Sequence, residues 1–351
     1  MTTVINTRNV HQALPKALDL LDKFGVWRGS RNGPVIQYPE PVVTDYERPW
    51  ERVIFWDHRD ANPFFHLYEG LWMLMGRNDV KSLTFFAKNM ANYSDDGLTV
   101  HGAYGHRWRN WYHHRGTAVS EDQLDVVIRR LRKNPLDRRV VVQMWDPNRD
   151  LDSNNKDVPC NLTITFQINH ESKLDMTVFC RSNDIIWGAY GANAVHFSML
   201  QEYIAVRLGI KMGRFHQMSV NWHAYEEQYR KLDDLSRVFP ECPYAADLVN
   251  VIPMTEASLE NIGFIVKTVD WLQSDRVAHV DEIHKVSIRN RDPWSEMVLT
   301  MMKAHYLFKI LPAPERYKDS LLLIRNIRFT DWGNAAGAWL HRRMFKWEDQ
   351  Q

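Results

Sequence analysis

Asp157-Val158-Pro159-Cys160-Asn161-Leu162-Thr163-Ile164-Thr165-Phe166-Gln167-Ile168 sets a lone cysteine at the mouth of a strand. Leu162, Ile164, Phe166 and Ile168 alternate with Thr163, Thr165 and Gln167, the two-residue period of a half-buried strand. Val140–Trp145 before it, Leu174–Cys180 after it and Arg214–Val220 further on read as companion strands. Helical spacing surrounds them. Leu14, Leu18, Leu21 and Phe24 share one face, with Gly25 as a stop. Asn62-Pro63 opens a helix from Phe64 to Met75 that Gly76 closes. Ser120 and Gln123 form a capping box for the face Leu124, Val127, Ile128 and Leu131, ended by Asn134-Pro135. Residues 194–208 are helical up to Gly209. Several strands in one sheet with helices over a face give an α+β class.

From about residue 245 the pattern becomes wholly helical. Leu259, Ile262, Val266, Val269 and Leu272 share a face, and Asp292-Pro293 opens a helix through Leu311. Arg316–Ile324 and Trp332–Phe345 follow. The expected organisation is a catalytic sheet domain over residues 1–245 and a helical C-terminal extension over 246–351.

Composition narrows the function classes. A chain of 351 residues with 44% apolar content can bury a large core, and its net charge is only +1. Direct nucleic-acid binding is therefore not expected, because it needs a strong positive excess. No apolar run approaches the roughly eighteen residues of a membrane span. The N-terminus carries neither the basic start nor the apolar stretch of a secretion signal. Three cysteines, at 160, 180 and 242, without CxxC spacing point to a reducing cytoplasm. The 15 histidines include no HExxH, so no metal is expected, and no Gly-rich phosphate loop is present.

A lone cysteine is more often a small buried hydrophobe than a nucleophile. Cys160, however, lies between Arg138-Arg139 upstream and Arg181-Ser182-Asn183-Asp184 downstream. Thiolate is the strongest side-chain nucleophile near neutral pH, and guanidinium forks suit phosphate. Together they suggest covalent attack on a phosphorylated substrate. Glu69, alone in an otherwise apolar helix, is the second anomaly, since burying an unpaired carboxylate is costly.

Six segments in a fixed order, spread over about residues 10–230, resemble the thymidylate synthase family, which includes phage pyrimidine hydroxymethylases. They are His66-Leu67-Tyr68-Glu69-Gly70-Leu71-Trp72, Gly102-Ala103-Tyr104-Gly105-His106-Arg107-Trp108, Asp137-Arg138-Arg139, Pro159-Cys160, Arg181-Ser182-Asn183-Asp184 with Gly188, and His223-Ala224-Tyr225. The resemblance implies a thymidylate synthase-like α+β fold and a homodimer. It implies a deoxypyrimidine monophosphate as substrate and 5,10-methylenetetrahydrofolate as one-carbon donor. Cys160 would attack C6 of the base, with Glu69 and Tyr104 serving proton transfer. Arg31, Arg181 and Ser182 would bind phosphate, and Arg138 and Arg139 would reach it from the partner. Arg28 is the rival to Arg31. Asp184 and Gly188 would contact folate, while His223 and Tyr225 would bond the deoxyribose hydroxyl.

Asn193 would read the base, one position later than the family's spacing, which implies a turn through Ala189–Ala192 longer by one residue. An amide suits uracil, so dUMP is favoured over dCMP. Three departures bear on the product. Lys88–Tyr93 lacks the synthases' tryptophan, Asn161 replaces their histidine, and the chain ends Lys346-Trp347-Glu348-Asp349-Gln350-Gln351 after a helix. They favour hydroxymethyl over methyl transfer. A thymidylate synthase, a dCMP or CMP hydroxymethylase and an inactive nucleotide-binding regulator are the alternatives. The setting would be cytoplasm, the host's if the gene is a phage's.

Overall fold

A computed structural model describes residues 2–112, 120–232, 241–274 and 280–350. Eight strands form one sheet: β1 (Thr3–Thr7), β2 (Val26–Arg28), β3 (Val35–Tyr38), β4 (Val42–Tyr46), β5 (Val141–Gln143), β6 (Asn161–Ile168), β7 (Lys173–Asp184) and β8 (Lys211–Tyr225). Their order is β1-β4-β8-β7-β6-β5. The long β8 carries β4 antiparallel along Phe215–Ser219 and β3 along Trp222–Tyr225, with β2 outside β3. β7 and β8 run parallel, and β6 lies antiparallel to β7.

On β7, Leu174, Met176, Val178 and Cys180 are buried while the residues between them are half-exposed. That inner face packs on the Asn193–Leu208 helix, which is buried through most of its length. The Pro63–Leu74 helix lies against it, opened by Asn62 accepting from the Phe65 N–H with Pro63 in the first turn. The Glu256–Leu272, Pro293–Ile310 and Asp331–Glu348 helices pack in turn on Pro63–Leu74. Ile262, Trp294, Met297 and Trp339 belong to the same apolar cluster as Leu71 and Val178, so the core runs unbroken past residue 245. Among the described residues no helix is long and apolar enough to cross a membrane.

One expected cap is corrected. Asp122, not Ser120, starts the Gln123–Lys133 helix, accepting from the N–H groups of Leu124 and Asp125. The Ser120 hydroxyl donates instead to the Asn110 carbonyl, and Gln123 turns its amide to the Arg107 and Gln143 carbonyls. A carboxylate two residues nearer the first turn meets both free N–H groups and the helix dipole.

Candidate active site

Cys160 precedes β6 by one residue, on a turn held from two sides. The Tyr104 hydroxyl accepts from the backbone N–H groups of Cys160 and Asn161, each at 3.2 Å. Arg181, on β7, donates from Nε to the Pro159 carbonyl at 3.0 Å and from Nη2 to the Val158 carbonyl at 3.2 Å. The thiol is free and half-buried. Burial pushes it above its ordinary value, Arg181 and Arg31 pull it down, and Asp157 adds to the rise. Desolvation outweighs the arginines because Arg181 aims its donors at carbonyls.

Glu69 projects from Pro63–Leu74 with only 8% exposure. Its Oε2 lies 3.2 Å from His196 Nε2 but makes no well-formed hydrogen bond. Burial lowers His196 to about 3, so that neighbour is a neutral ring and no counter-ion. Burial, with Asp157 adding to it, raises Glu69 to about 8. At neutral pH Glu69 is a protonated acid poised to exchange its proton. Asp157 is anchored beside these groups, its Oδ2 accepting from the Gly102 N–H at 3.1 Å.

Between Asp184 and the central helix, Ile185–Ala192 wind as a wide π-helical turn kinked at Tyr190 and Gly191. Such a turn absorbs an extra residue, and it delivers Asn193 to the first position of the helix beyond. There the Asn193 amide is held at both ends. Asn161 Nδ2 donates to Asn193 Oδ1 at 3.2 Å, and Asn193 Nδ2 donates to Asn183 Oδ1 at 3.1 Å. Gly188 backs this contact: a Cβ there would sit 2.6 Å from Asn183 Oδ1 and 3.3 Å from Asn193 Nδ2.

The polar ends of β7 and β8 lie side by side, Ser182 opposite Asn221 and Asp184 opposite His223. His223 Nδ1 meets Asn221 Oδ1 at 2.8 Å, and its ring stands edge-on to Tyr225. Asp184 Oδ1 accepts from the Ile186 and Trp187 N–H groups, and Oδ2 from Tyr225 N–H. Burial nevertheless raises its carboxyl. Asn32, next to Arg31, donates to the Tyr225 hydroxyl at 3.4 Å, which ties the Arg31 loop to this edge.

Arg138 and Arg139 do not join the group within this chain. Both are exposed and precede β5, where Phe166 N–H bonds the Val140 carbonyl. That point is six residues along β6 from Cys160, about 20 Å at strand rise.

Sequence reasoning passed over several neighbours. Arg59 is buried, donates to the Ile186 carbonyl and stacks its guanidinium 4.1 Å from the half-exposed Trp187 ring. Its Nη2 has no partner. Asp157 stood in the quoted stretch and Asn183 inside a family segment, but neither carries a periodicity or spacing signal. His196 is one of 15 histidines and carries no spacing signal of its own.

A family model described as thymidylate synthase matches residues 60–262, more than half of the chain. A deoxyuridylate hydroxymethyltransferase of Pseudomonas phage M6 is 47% identical over 98% of this chain and 95% of its own length. One from Bacillus phage SP01 is 36% identical over 59% of this chain and 55% of its own length. A third, from Delftia phage PhiW-14, is 30% identical over 67% and 65% respectively. With a cysteine and a buried glutamic acid supplied by family segments, and a family match over more than half of the chain, the chain belongs to the thymidylate synthase family.

Proposed function

We propose that this protein is a dUMP hydroxymethylase, moving a one-carbon unit from 5,10-methylenetetrahydrofolate to C5 of dUMP and finishing with water. Its relatives of the same name support the reaction, and the family is folate-dependent. Cys160 bonds to C6 and makes C5 nucleophilic. Glu69 exchanges its proton at the base carbonyl, while Asn193 donates to O4 and accepts from N3–H. Tyr104 fixes the turn that carries the sulfur. Arg31, Arg181 and Ser182 hold the phosphate, and His223 and Tyr225 hold the sugar hydroxyl. Folate supplies the carbon unit. The residues present fit it, since Trp187 offers a flat ring backed by a guanidinium beside Asp184, with Gly188 in the adjoining turn. C5 takes the carbon unit, then gives up its own proton to a site base as the bond to folate breaks and tetrahydrofolate leaves. Water adds to the resulting methylene at C5, its proton passes to a site carboxylate, and the Cys160 sulfur leaves C6 as thiolate.

The observation that carries the hydroxymethyl outcome is the character of the wall. Where a synthase would place tryptophan, Lys88–Tyr93 brings a half-exposed tyrosine. Burial raises its hydroxyl, and so do the neighbouring Asp157, Tyr225, Asp184 and Glu69. A site walled by carboxyls and phenols admits water, and hydride transfer needs water excluded.

The working unit is a homodimer acting in the cytoplasm, with Arg138 and Arg139 serving the partner's phosphate. Their distance from their own Cys160 supports this. The half-exposed outer face of β7, including Thr177 and Phe179, supplies a surface for the contact. Residues 1–245 hold the reaction and 246–351 support it from behind. The test mixes protein, methylenetetrahydrofolate and dUMP or dCMP, reading nucleotide mass and dihydrofolate absorbance. Hydroxymethyl-dUMP without dihydrofolate is expected. A methyl product with rising dihydrofolate would make the chain a thymidylate synthase.

A further inference from the structure

An asparagine is a poor reader on its own, because turning its amide over exchanges donor and acceptor. Uracil offers an acceptor at O4 and a donor at N3–H; cytosine offers a donor at N4 and an acceptor at N3. A freely turning amide would serve both. Discrimination therefore requires whatever stops Asn193 from turning.

The restraint is a one-way chain of buried amides. Asn161 Nδ2 donates to Asn193 Oδ1, Asn193 Nδ2 to Asn183 Oδ1, and Asn183 Nδ2 to Ser219 Oγ at 3.0 Å. Asn161, Asn183 and Ser219 are all at most 2% exposed, so water cannot stand in for a lost partner. Turning Asn193 alone would face its NH2 against that of Asn161 and its carbonyl against that of Asn183. Two hydrogen bonds would become two repulsions. The chain spans the start of β6, the central helix, β7 and β8, and Gly188 leaves the room its middle link needs.

We propose that Asn183 is a specificity-determining positioning residue: it locks the Asn193 amide in the orientation that accepts uracil and refuses cytosine. This rests on Asn193 being the base reader under the proposed function. Asn183 itself touches no substrate. It acts through the acceptor it presents to Asn193, with Ser219 holding its other end.

The test is the ratio of kcat/KM for dCMP to that for dUMP, which does not depend on how much of a variant is folded. Asn183→Ala should raise the ratio about tenfold, the scale of one buried hydrogen bond to the reader. Ser219→Ala, a milder change, should raise it less and in the same direction, and it carries the test if Asn183→Ala fails to fold. Equal losses on both nucleotides, leaving the ratio at its wild-type value, would overturn the proposal. Failure of the wild-type protein to turn over either nucleotide would instead overturn the proposed function.

Discussion

Two buried glutamates on adjoining helices show how differently one residue type can be used. Glu202, on Asn193–Leu208, pairs with buried Arg52 at 2.7 Å and accepts the Met254 N–H at 2.9 Å. Glu69, on Pro63–Leu74, faces neutral His196, has Asp157 near it and leaves an oxygen unbonded. Near Glu202, Asp331 accepts from Tyr244 and from the Trp332 N–H, which ties the last helix to the body. A carboxylate given a cation and donors is part of the frame. One denied them holds its proton to about 8 and is available for chemistry.

The contrast can be broken by exchanging what each glutamate lacks. Glu69→Gln keeps the shape and removes the proton. Turnover should fall about 10²–10⁴-fold while the melting temperature rises or holds, measured by steady-state assay and thermal melt. Glu202→Ala strands Arg52 and should cost about 3–5 kcal/mol of stability by urea melt. A Glu69→Gln enzyme of normal rate, or a Glu202→Ala protein of normal stability, would reverse the two roles.

A pH series sharpens the same point. Glu69 is raised in the folded state, so its contribution is present below the unfolded carboxylate value and is lost as pH climbs toward 8. From pH 6.5 to 8 the loss is about 2 kcal/mol, and Glu69→Gln should remove it. Asp331, raised by burial to about 7, adds a smaller slope that fades above pH 7 and that Glu69→Gln leaves in place. Stability difference curves for the two proteins should therefore diverge with rising pH; parallel curves would mean that Glu69 is ionised throughout.

What the sequence reveals follows the physics of each region. Apolar alternation located the inner parts of β7 and β8 at Leu174–Cys180 and Arg214–Val220. The strands run on to Asp184 and Tyr225. The extra residues include the polar ones that form the site edge, Ser182, Asp184, Asn221, His223 and Tyr225, while Trp222 and Ala224 between them still face the core. The family segments supplied the nucleophile and the glutamate. They were silent on the partners of Asn193 and on Arg59 beneath Trp187, since contacts between distant strands and loops leave no local period. The helices past residue 245 are expected to pack on the sheet domain, but that they meet it through Pro63–Leu74 was hidden, because helical faces do not say what they pack against.

The smallest effect lies where that last helix meets the site. Arg343 forks onto Asp60 at 3.0 and 2.9 Å and stacks 3.5 Å from the Trp339 ring. Asp60, in left-handed backbone at φ 45°, follows directly after Arg59. Burial works to raise the Asp60 carboxyl, but Arg343 and Arg342 outweigh it and the net shift is downward. Both partners are partly exposed and screened by solvent, so Arg343→Ala should cost only about 0.5–1 kcal/mol in a urea melt. The loss should shrink in high salt as screening takes over the role of the arginine. A salt-independent loss would instead assign the cost to the stack on Trp339. The last helix would then be held to the catalytic body here by packing, and at its first turn by the Tyr244–Asp331 hydrogen bond.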